Sequence, residues 1–578
     1  MTDTLREKLK AFQPAAEKRL FPFVLFFYPF FGVWTGVDVT DTMYALTYYA
    51  HGNTLDRMWY FATYLPNLTG RLLMHLPFGG TMLGIGIYCT LFVSLTALFT
   101  YYMLQFFDLP GWMVFAGLFL AESLCWAPEV ILYHYLSHIF FTAGTLILVR
   151  ALSAPVAQKR LLFLSGALFG LNIMVRMPNV LQIAILIVIF GYGIWAHKNK
   201  LTMCREAGVF LGGYITGFFI PFASISLLYD REAYVRMTRD LFSMTSGSPS
   251  HSAAGMLALI GGAYKGTILH MAIMIPCIAA GCVMFFLWKD KFIKQKIALY
   301  LAGVVVLMVY FFRRGVFTMN YWYYDSIFQA SMMFLICAIV LFVLDIAGVL
   351  RGHEHERMLS LAALVILLIT PLGSNNYTYP AINNLFFVAP VALCVLRRAM
   401  RRASKSALAR EHFTWESIVL AITAVLFVQG ILFHAIFSFR DGTDGTPRNV
   451  RITQIPRLAH MVTTGENANR LTGLYVFLTQ GGFSGREAIT FGNIPGVVYF
   501  CDLTPAIFTT WPDLPSNTTQ RFNDALDALE TPPLIIIGRT EDTDVTVERK
   551  STYLQMYRMQ HTYEKIYDDG YFEVYEAQ

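Results

Sequence analysis

Charge is what this sequence has least of. Of its 578 residues only 14% are Asp, Glu, Lys or Arg, against 56% hydrophobic and 15% aromatic. A soluble globular chain carries roughly 25% charged residues, so the composition excludes that class and points to a polytopic membrane protein. Other absences narrow the reading. The eight cysteines (Cys89, Cys125, Cys204, Cys277, Cys282, Cys337, Cys394 and Cys501) include no Cys-x-x-Cys pair and fall mostly inside apolar runs. That excludes a disulfide framework and a zinc site of that spacing. No small-residue cleavage pattern follows the first apolar run, so that segment is expected to stay as an anchor behind the polar residues 1–19. There is no repeat of fixed period, no long linker and no internal pseudo-symmetry of the kind transporters show. The net charge of +6 does not mark a nucleic-acid binder, because the basic residues come in short clusters between apolar runs.

Apolar runs are what fill the chain. The first covers 20–37, and others recur at 81–106, 111–126, 131–149, 161–174, 180–196, 207–228, 267–288, 297–312, 327–349, 359–372, 385–396 and 418–437. On a window of roughly 20 residues these give about thirteen transmembrane helices, several of them short. Starting from a cytoplasmic N-terminus, alternate loops place Lys159/Arg160, Lys198/Lys200/Arg205, Lys289–Lys296, Arg351/Arg357 and the Arg397–Arg410 cluster inside, as the positive-inside rule asks. The intervening loops then lie outside. The longest early one, 38–80, carries Trp59, Tyr60, Phe61, Leu72, Leu73 and Leu76 at helical spacing and reads as amphipathic helix on the membrane surface. After residue 437 the character changes to turn-rich polar stretches with strand-like runs at 474–478, 496–500, 534–537 and 572–575. A helical pattern at 520–530 (Phe522, Ala525, Leu526, Leu529) follows possible caps Ser516 and Asn517. The expected fold is therefore an all-α polytopic membrane module, 1–437, with a small extracytoplasmic α/β domain, 438–578.

The outer loops collect the chemistry. Asp38 and Asp41 sit where the first helix leaves the lipid, and an ionisable group at a membrane rim that turns inward is usually functional because lipid offers it no partner. As plain solvated loop acids they would need no such role. Glu129, His134 and His138, at spacings of five and four, could join them around a divalent ion, although a membrane-edge histidine more often bonds a neighbour. Arg176, Arg313 and Arg314 run against the positive-inside bias, and a guanidinium fork suits a phosphate; Lys265 is a weaker candidate, and snorkelling to head groups is the alternative. Asn375, Asn376, Tyr377 and Tyr379 combine amides with rings, which suits a sugar as well as a turn in an aromatic belt. Glu122, Asp345 and His434 lie scattered within spans and are expected to be helix-end or interhelix partners.

A cytoplasmic N-terminus, an acidic motif at the first helix exit, a long first outer loop, about a dozen spans and an outer C-terminal domain together resemble the GT-C superfamily of membrane glycosyltransferases. Asp41-Thr42-Met43-Tyr44-Ala45-Leu46 is similar to the D-x-x-Y-x-L stretches of that superfamily. The resemblance implies transfer of a sugar from a polyprenyl-phosphate donor, with Asp41 as base, Asp38 as second choice, and Tyr44 near the acceptor. Glu129 matches the order, though not a strict motif, of a second-loop acid. No Asp-x-Asp pair stands in the first loop and no Trp-Trp-Asp-Tyr-Gly in the tail, so a metal cofactor (Mg2+ or Mn2+) and a protein acceptor both stay open. The expected enzyme is an inverting glycosyltransferase of the plasma membrane acting on a glycan, lipid or cell-wall acceptor at the outer face, with membrane lipid around it and no nucleic acid. A polysaccharide polymerase or ligase, and a lipid or solute transporter, are the alternatives.

Overall fold

The computed structural model describes residues 13–125, 130–154, 156–246, 252–287, 291–403, 412–443, 445–539 and 544–578. The first hydrophobic segment is helical from Ala16 to Phe30, in three successive geometries: π over Ala16–Leu20, α over Phe21–Phe27 and 3-10 over Tyr28–Phe30. Pro22 and Pro29 stand at the changes, since neither has the N–H that an uninterrupted α-helix would use.

Among the described residues eight helices are long and apolar enough to cross a membrane: Met82–Gln105, Leu132–Leu152, Met177–Trp195, Lys200–Leu228, Ala253–Leu287, Ile293–Arg313, Phe328–Ile346 and His412–Ile436. The remaining expected spans are also helical but shorter, such as Gly111–Leu124, Lys159–Ile173, Glu354–Ile369 and Val388–Ala403. Lys159–Ile173 and Lys200–Leu228 approach each other closely. Added Cβ atoms on Gly166, Gly170, Gly213 and Gly217 would fall 1.9, 2.0, 2.0 and 2.1 Å from carbonyl oxygens of the facing helix. These are two Gly-x-x-x-Gly faces, and only glycine lets the backbones approach so closely.

The first long loop folds into Asp41–His51, Arg57–Ala62 and Tyr64–Met74. Its aromatic residues do not all face lipid: Tyr60, Phe61 and Tyr64 are buried with Tyr234 and Met237 of the helix Ala233–Ser246. Leu72 and Phe78 remain 62% and 82% exposed, so the amphipathic reading holds only for the second half of the loop.

The C-terminal region has an antiparallel pair, β1 (Arg448–Arg451) with β2 (Val462–Thr464), and a mixed sheet of β3 (Glu487–Phe491), β4 (Thr504–Pro505), β5 (Leu534–Gly538), β6 (Tyr563–Asp568) and β7 (Phe572–Ala577) in the order β4-β3-β5-β7-β6. β3 runs parallel to β4 and β5, and β7 antiparallel to β5 and β6. Strands were expected at 534–537 and 572–575 and are there. Those expected at 474–478 and 496–500 are helical instead, within Gly465–Gln480 and Val497–Phe500. Leu471, Leu474 and Leu478 are buried on one face at helical spacing, and a short apolar run alone does not separate that from a strand. The expected helix at 520–530 is Thr519–Asp527, capped by Thr518 rather than by Ser516 or Asn517.

The tail shares its core with the first loop. Val37, Met43, Leu46 and Tyr49 pack in one cluster with Met82, Ile85 and Val175 and with Leu471, Leu474, Val497 and Val498. The chain leaving the first helix is also held by hydrogen bonds: Gly36 N–H donates to Val462 O and Val462 N–H to Trp34 O, both at 2.8 Å. Buried Asp441 completes the clamp, accepting from Val37 N–H at 2.9 Å and Asn467 Nδ2 at 2.9 Å while pairing with Arg448 at 2.8 Å.

Candidate functional site

Asp38 and Asp41 share a turn and do different work. Asp38 is buried; its Oδ1 accepts from Thr40 N–H (2.8 Å) and the Thr40 hydroxyl (2.5 Å), and its Oδ2 from Thr42 N–H (2.8 Å). It therefore caps the start of Asp41–His51, satisfying donors that a helix end leaves open. Burial, with the nearby charge of Asp41, raises its carboxyl to about 6 against those bonds. Asp41, the first residue of the helix, keeps 38% of its side chain exposed, and its Oδ2 lies 3.2 Å from Nη1 of Arg440. Burial raises its carboxyl above the ordinary value, while Arg440 and the Thr40 hydroxyl pull it back. The helix N-terminus also favours a negative charge there.

The same helix positions the next wall. The Tyr49 hydroxyl donates to Val130 O at 2.7 Å and accepts from Leu132 N–H at 3.2 Å, fixing where Leu132–Leu152 begins. That helix presents Tyr133, His134, Ser137 and His138 to a small cavity of about 20 Å³, whose lining also includes Arg176, Asn179, Gln182 and Asn384. Arg176 reaches it from the turn after Lys159–Ile173, which Leu65 N–H grips through Met174 O at 3.1 Å. Its Nη2 donates to Gly373 O at 2.7 Å. Among the described residues no carboxylate pairs with this guanidinium, and burial lowers its proton affinity. Behind it lies an amide network, with Asn172 Nδ2 to Gln182 Oε1 at 2.7 Å and Asn179 Nδ2 to Ser137 Oγ at 2.8 Å. His138 is buried and its Nδ1 has no partner. Tyr133, which lines this cavity, lies within electrostatic reach of both Asp41 and Arg176.

A second, larger cavity of about 110 Å³ opens on the other side of the helix entry, between Asp38, Thr42, Phe31, Cys125, His434 and Met461. The Asp38 carboxylate is thus a wall of that space as well as a cap.

The structure separates several residues that the sequence grouped. His134 and His138 stand with Arg176 rather than forming a metal shell with the two aspartates, and Glu129 lies outside the described residues. Among the described residues no three His, Cys, Asp or Glu side chains are placed to hold a metal ion. Arg313 and Arg314 are exposed at the end of Ile293–Arg313, with Arg314 5.5 Å over the Tyr310 ring, and Lys265 is exposed on Ala253–Met271. None of these three lines either cavity, because their helices pack elsewhere in the bundle. From the amide-rich turn, Tyr379 is buried against Phe328 (4.6 Å) while Asn376 and Tyr377 are exposed; Asn375 is partly buried. The Gly373 carbonyl, Pro380 and Asn384 are what this segment brings to the cavity. Tyr44 packs on Trp511 at 5.4 Å, with its hydroxyl 3.3 Å from Thr509, and so faces the C-terminal domain. Arg440 was missed by the sequence reading, and no motif surrounds it to give it away.

No known family description matches the chain, and no curated protein matches it either. Among solved structures, the oligosaccharyltransferase of Archaeoglobus fulgidus in its apo form is similar with a TM-score of 0.43 and 12% identity, over 87% of this chain and 66% of that one. The chain thus spans just under two thirds of that protein's length.

Proposed function

We propose that the protein is a membrane glycosyltransferase of GT-C type, taking a sugar from a polyprenyl-phosphate donor and passing it to a hydroxyl of a glycan, lipid or cell-wall acceptor. The observation that carries this is that Tyr133 lies within electrostatic reach of both Asp41 and Arg176, a half-buried arginine that no carboxylate among the described residues pairs with. Asp41 accepts the proton of the acceptor hydroxyl as that oxygen attacks the sugar carbon, which a base within hydrogen-bond reach can do. The bond from that carbon to the phosphate oxygen breaks, and the leaving phosphate keeps the electron pair. Arg176, with N–H groups of His134 and His138, meets the charge that develops there, in a site screened from water. A single displacement inverts the sugar carbon. Asp38 serves as the cap that aims Asp41. Among the described residues no three His, Cys, Asp or Glu side chains stand together to hold a divalent ion, and the chelator lane below decides whether a metal takes part. By the positive-inside count the site faces the outer side of its membrane.

The experiment is sugar release from a panel of polyprenyl-phosphate sugars by the purified protein in detergent, with acceptor extract, comparing wild type, Asp41→Asn and a chelator lane. Turnover by wild type that Asp41→Asn abolishes supports the reading, and the chelator lane decides the metal. Equal turnover by both removes Asp41 as base. No turnover of any donor moves polymerisation or transport to the front.

A further inference from the structure

We propose that Arg440, delivered by the link between the last span and the C-terminal domain, is the positioning residue for Asp41: it holds the carboxylate by Oδ2 and keeps it charged. The proposal builds on the role given to Asp41 above, but its geometry stands alone. His412–Ile436 ends four residues before Arg440, and the intervening chain is anchored on both sides. Ser438 Oγ donates to Thr35 O at 3.3 Å, and Asp441 is locked by Val37, Asn467 and Arg448. Between these anchors Arg440 adopts a left-handed backbone, φ +43°, which a branched-free but bulky side chain takes up only when the surroundings impose it. The strain has an evident result. It turns the guanidinium back over the first-helix exit, where Nη1 meets Asp41 Oδ2 at 3.2 Å and the Thr40 hydroxyl at 3.4 Å.

The surroundings of Asp41 leave this cation few competitors. Asp38 on the same turn and Tyr133 on the facing helix share its field, and both oppose a negative charge there when ionised. From the packed helix Tyr64–Met74, Arg71 is engaged with Asn53 at 3.0 Å; from Val497–Phe500, the Tyr499 hydroxyl is engaged with Gly80 O at 3.0 Å. Arg440 is thus the cation in contact with the acid, and it comes from the far end of the chain. A base needs to be ionised at working pH, and a carboxylate pushed up by burial needs such a partner.

The test is an infrared pH titration of the full chain in lipid nanodiscs, with the Asp41 band assigned by its loss in Asp41→Asn. Arg440→Gln is expected to raise the Asp41 midpoint by about one unit, the low end of what an opposite charge provides, and Arg440→Lys to restore most of it. An unmoved midpoint in a folded Arg440→Gln overturns the proposal, as does an equal shift in Arg440→Lys and Arg440→Gln. Because the readout is the carboxyl itself, it separates failure of this pairing from failure of the transferase reading. Where the protein also turns over a donor, the acid limb of kcat/KM moves up with the band; a limb that stays put while the band moves shows that Arg440 does not position a working base and overturns the proposal as well.

Discussion

A single carboxylate at the start of Asp41–His51 and a single guanidinium after Lys159–Ile173 carry the proposed chemistry, and each has a distinct signature on substitution. Asp41→Asn keeps the shape and removes the base, so kcat is expected to fall about 10²–10⁴-fold with little change in donor KM, measured in the release assay. The pH dependence has a definite sign. A base works deprotonated and burial raises Asp41, so activity falls on the acid side through a midpoint above the ordinary carboxylate value of about 4. Arg176→Gln should behave differently. It removes a charge-assisted contact worth about 1.5–3 kcal/mol, so donor KM rises roughly 10–100-fold. It removes a half-buried cation that no carboxylate among the described residues pairs with, and with it one bond to Gly373 O, so the melting temperature should change little. A fall in melting temperature with unchanged KM would make Arg176 a structural residue.

Helix pairs decide whether those residues meet. Lys159–Ile173 ends just before Arg176 and rests on Lys200–Leu228 through Gly166, Gly170, Gly213 and Gly217. Gly170→Val puts side-chain atoms where Tyr214 O already stands, and overpacking of this kind costs about 1–3 kcal/mol or more. Thermal unfolding in detergent should register that loss, with donor KM rising as Arg176 is displaced. At this scale the sequence was legible where the pattern is long: the expected spans fall on helices, the first only as far as Phe30, because twenty apolar residues in lipid have few other ways to satisfy their backbone. It was ambiguous where the pattern is short, as at 474–478 and 496–500, where four or five apolar residues fit a strand and a helix equally. It was silent on grouping. Residue type alone marked Asp41, Arg176, His134 and His138, but three outward arginines looked alike in sequence. Only packing shows that Arg176 lines a cavity with the histidines while Arg313 and Arg314 are exposed and line neither cavity.

The molecule as a whole is held together by the return of its last quarter onto its first loop. Asp41–Arg440 and Asp56–Arg521 join them directly, and Asp441–Arg448, within the C-terminal region, reaches the first-helix exit through Val37 N–H. Asp56 meets Arg521 at 2.8 Å, with the arginine 42% exposed; Asp441 meets Arg448 at 2.8 Å, with side chains 0% and 5% exposed. The difference in burial predicts a difference in consequence. Arg521→Gln removes the exposed arm of its pair while Asp56, 5% exposed, still accepts from Met58 N–H, so a cost of about 1–3 kcal/mol is expected. Asp441→Ala leaves the Arg448 guanidinium buried without its partner and strips Val37 N–H and Asn467 of their acceptor, so about 3–5 kcal/mol is expected. The span bundle meets that pair only at its edge, where Arg448 donates to Ile436 O, whereas the first-helix exit, Arg440 and the C-terminal core rest on it. Limited proteolysis of Asp441→Ala in nanodiscs should therefore release the region after residue 441 while the bundle stays protected, and sugar transfer should be lost even though neither Asp41 nor Arg176 has changed. Should the variant be cut no faster than wild type and still turn over, the C-terminal domain would be an appendage, and its shared core with the first loop would have no bearing on the site.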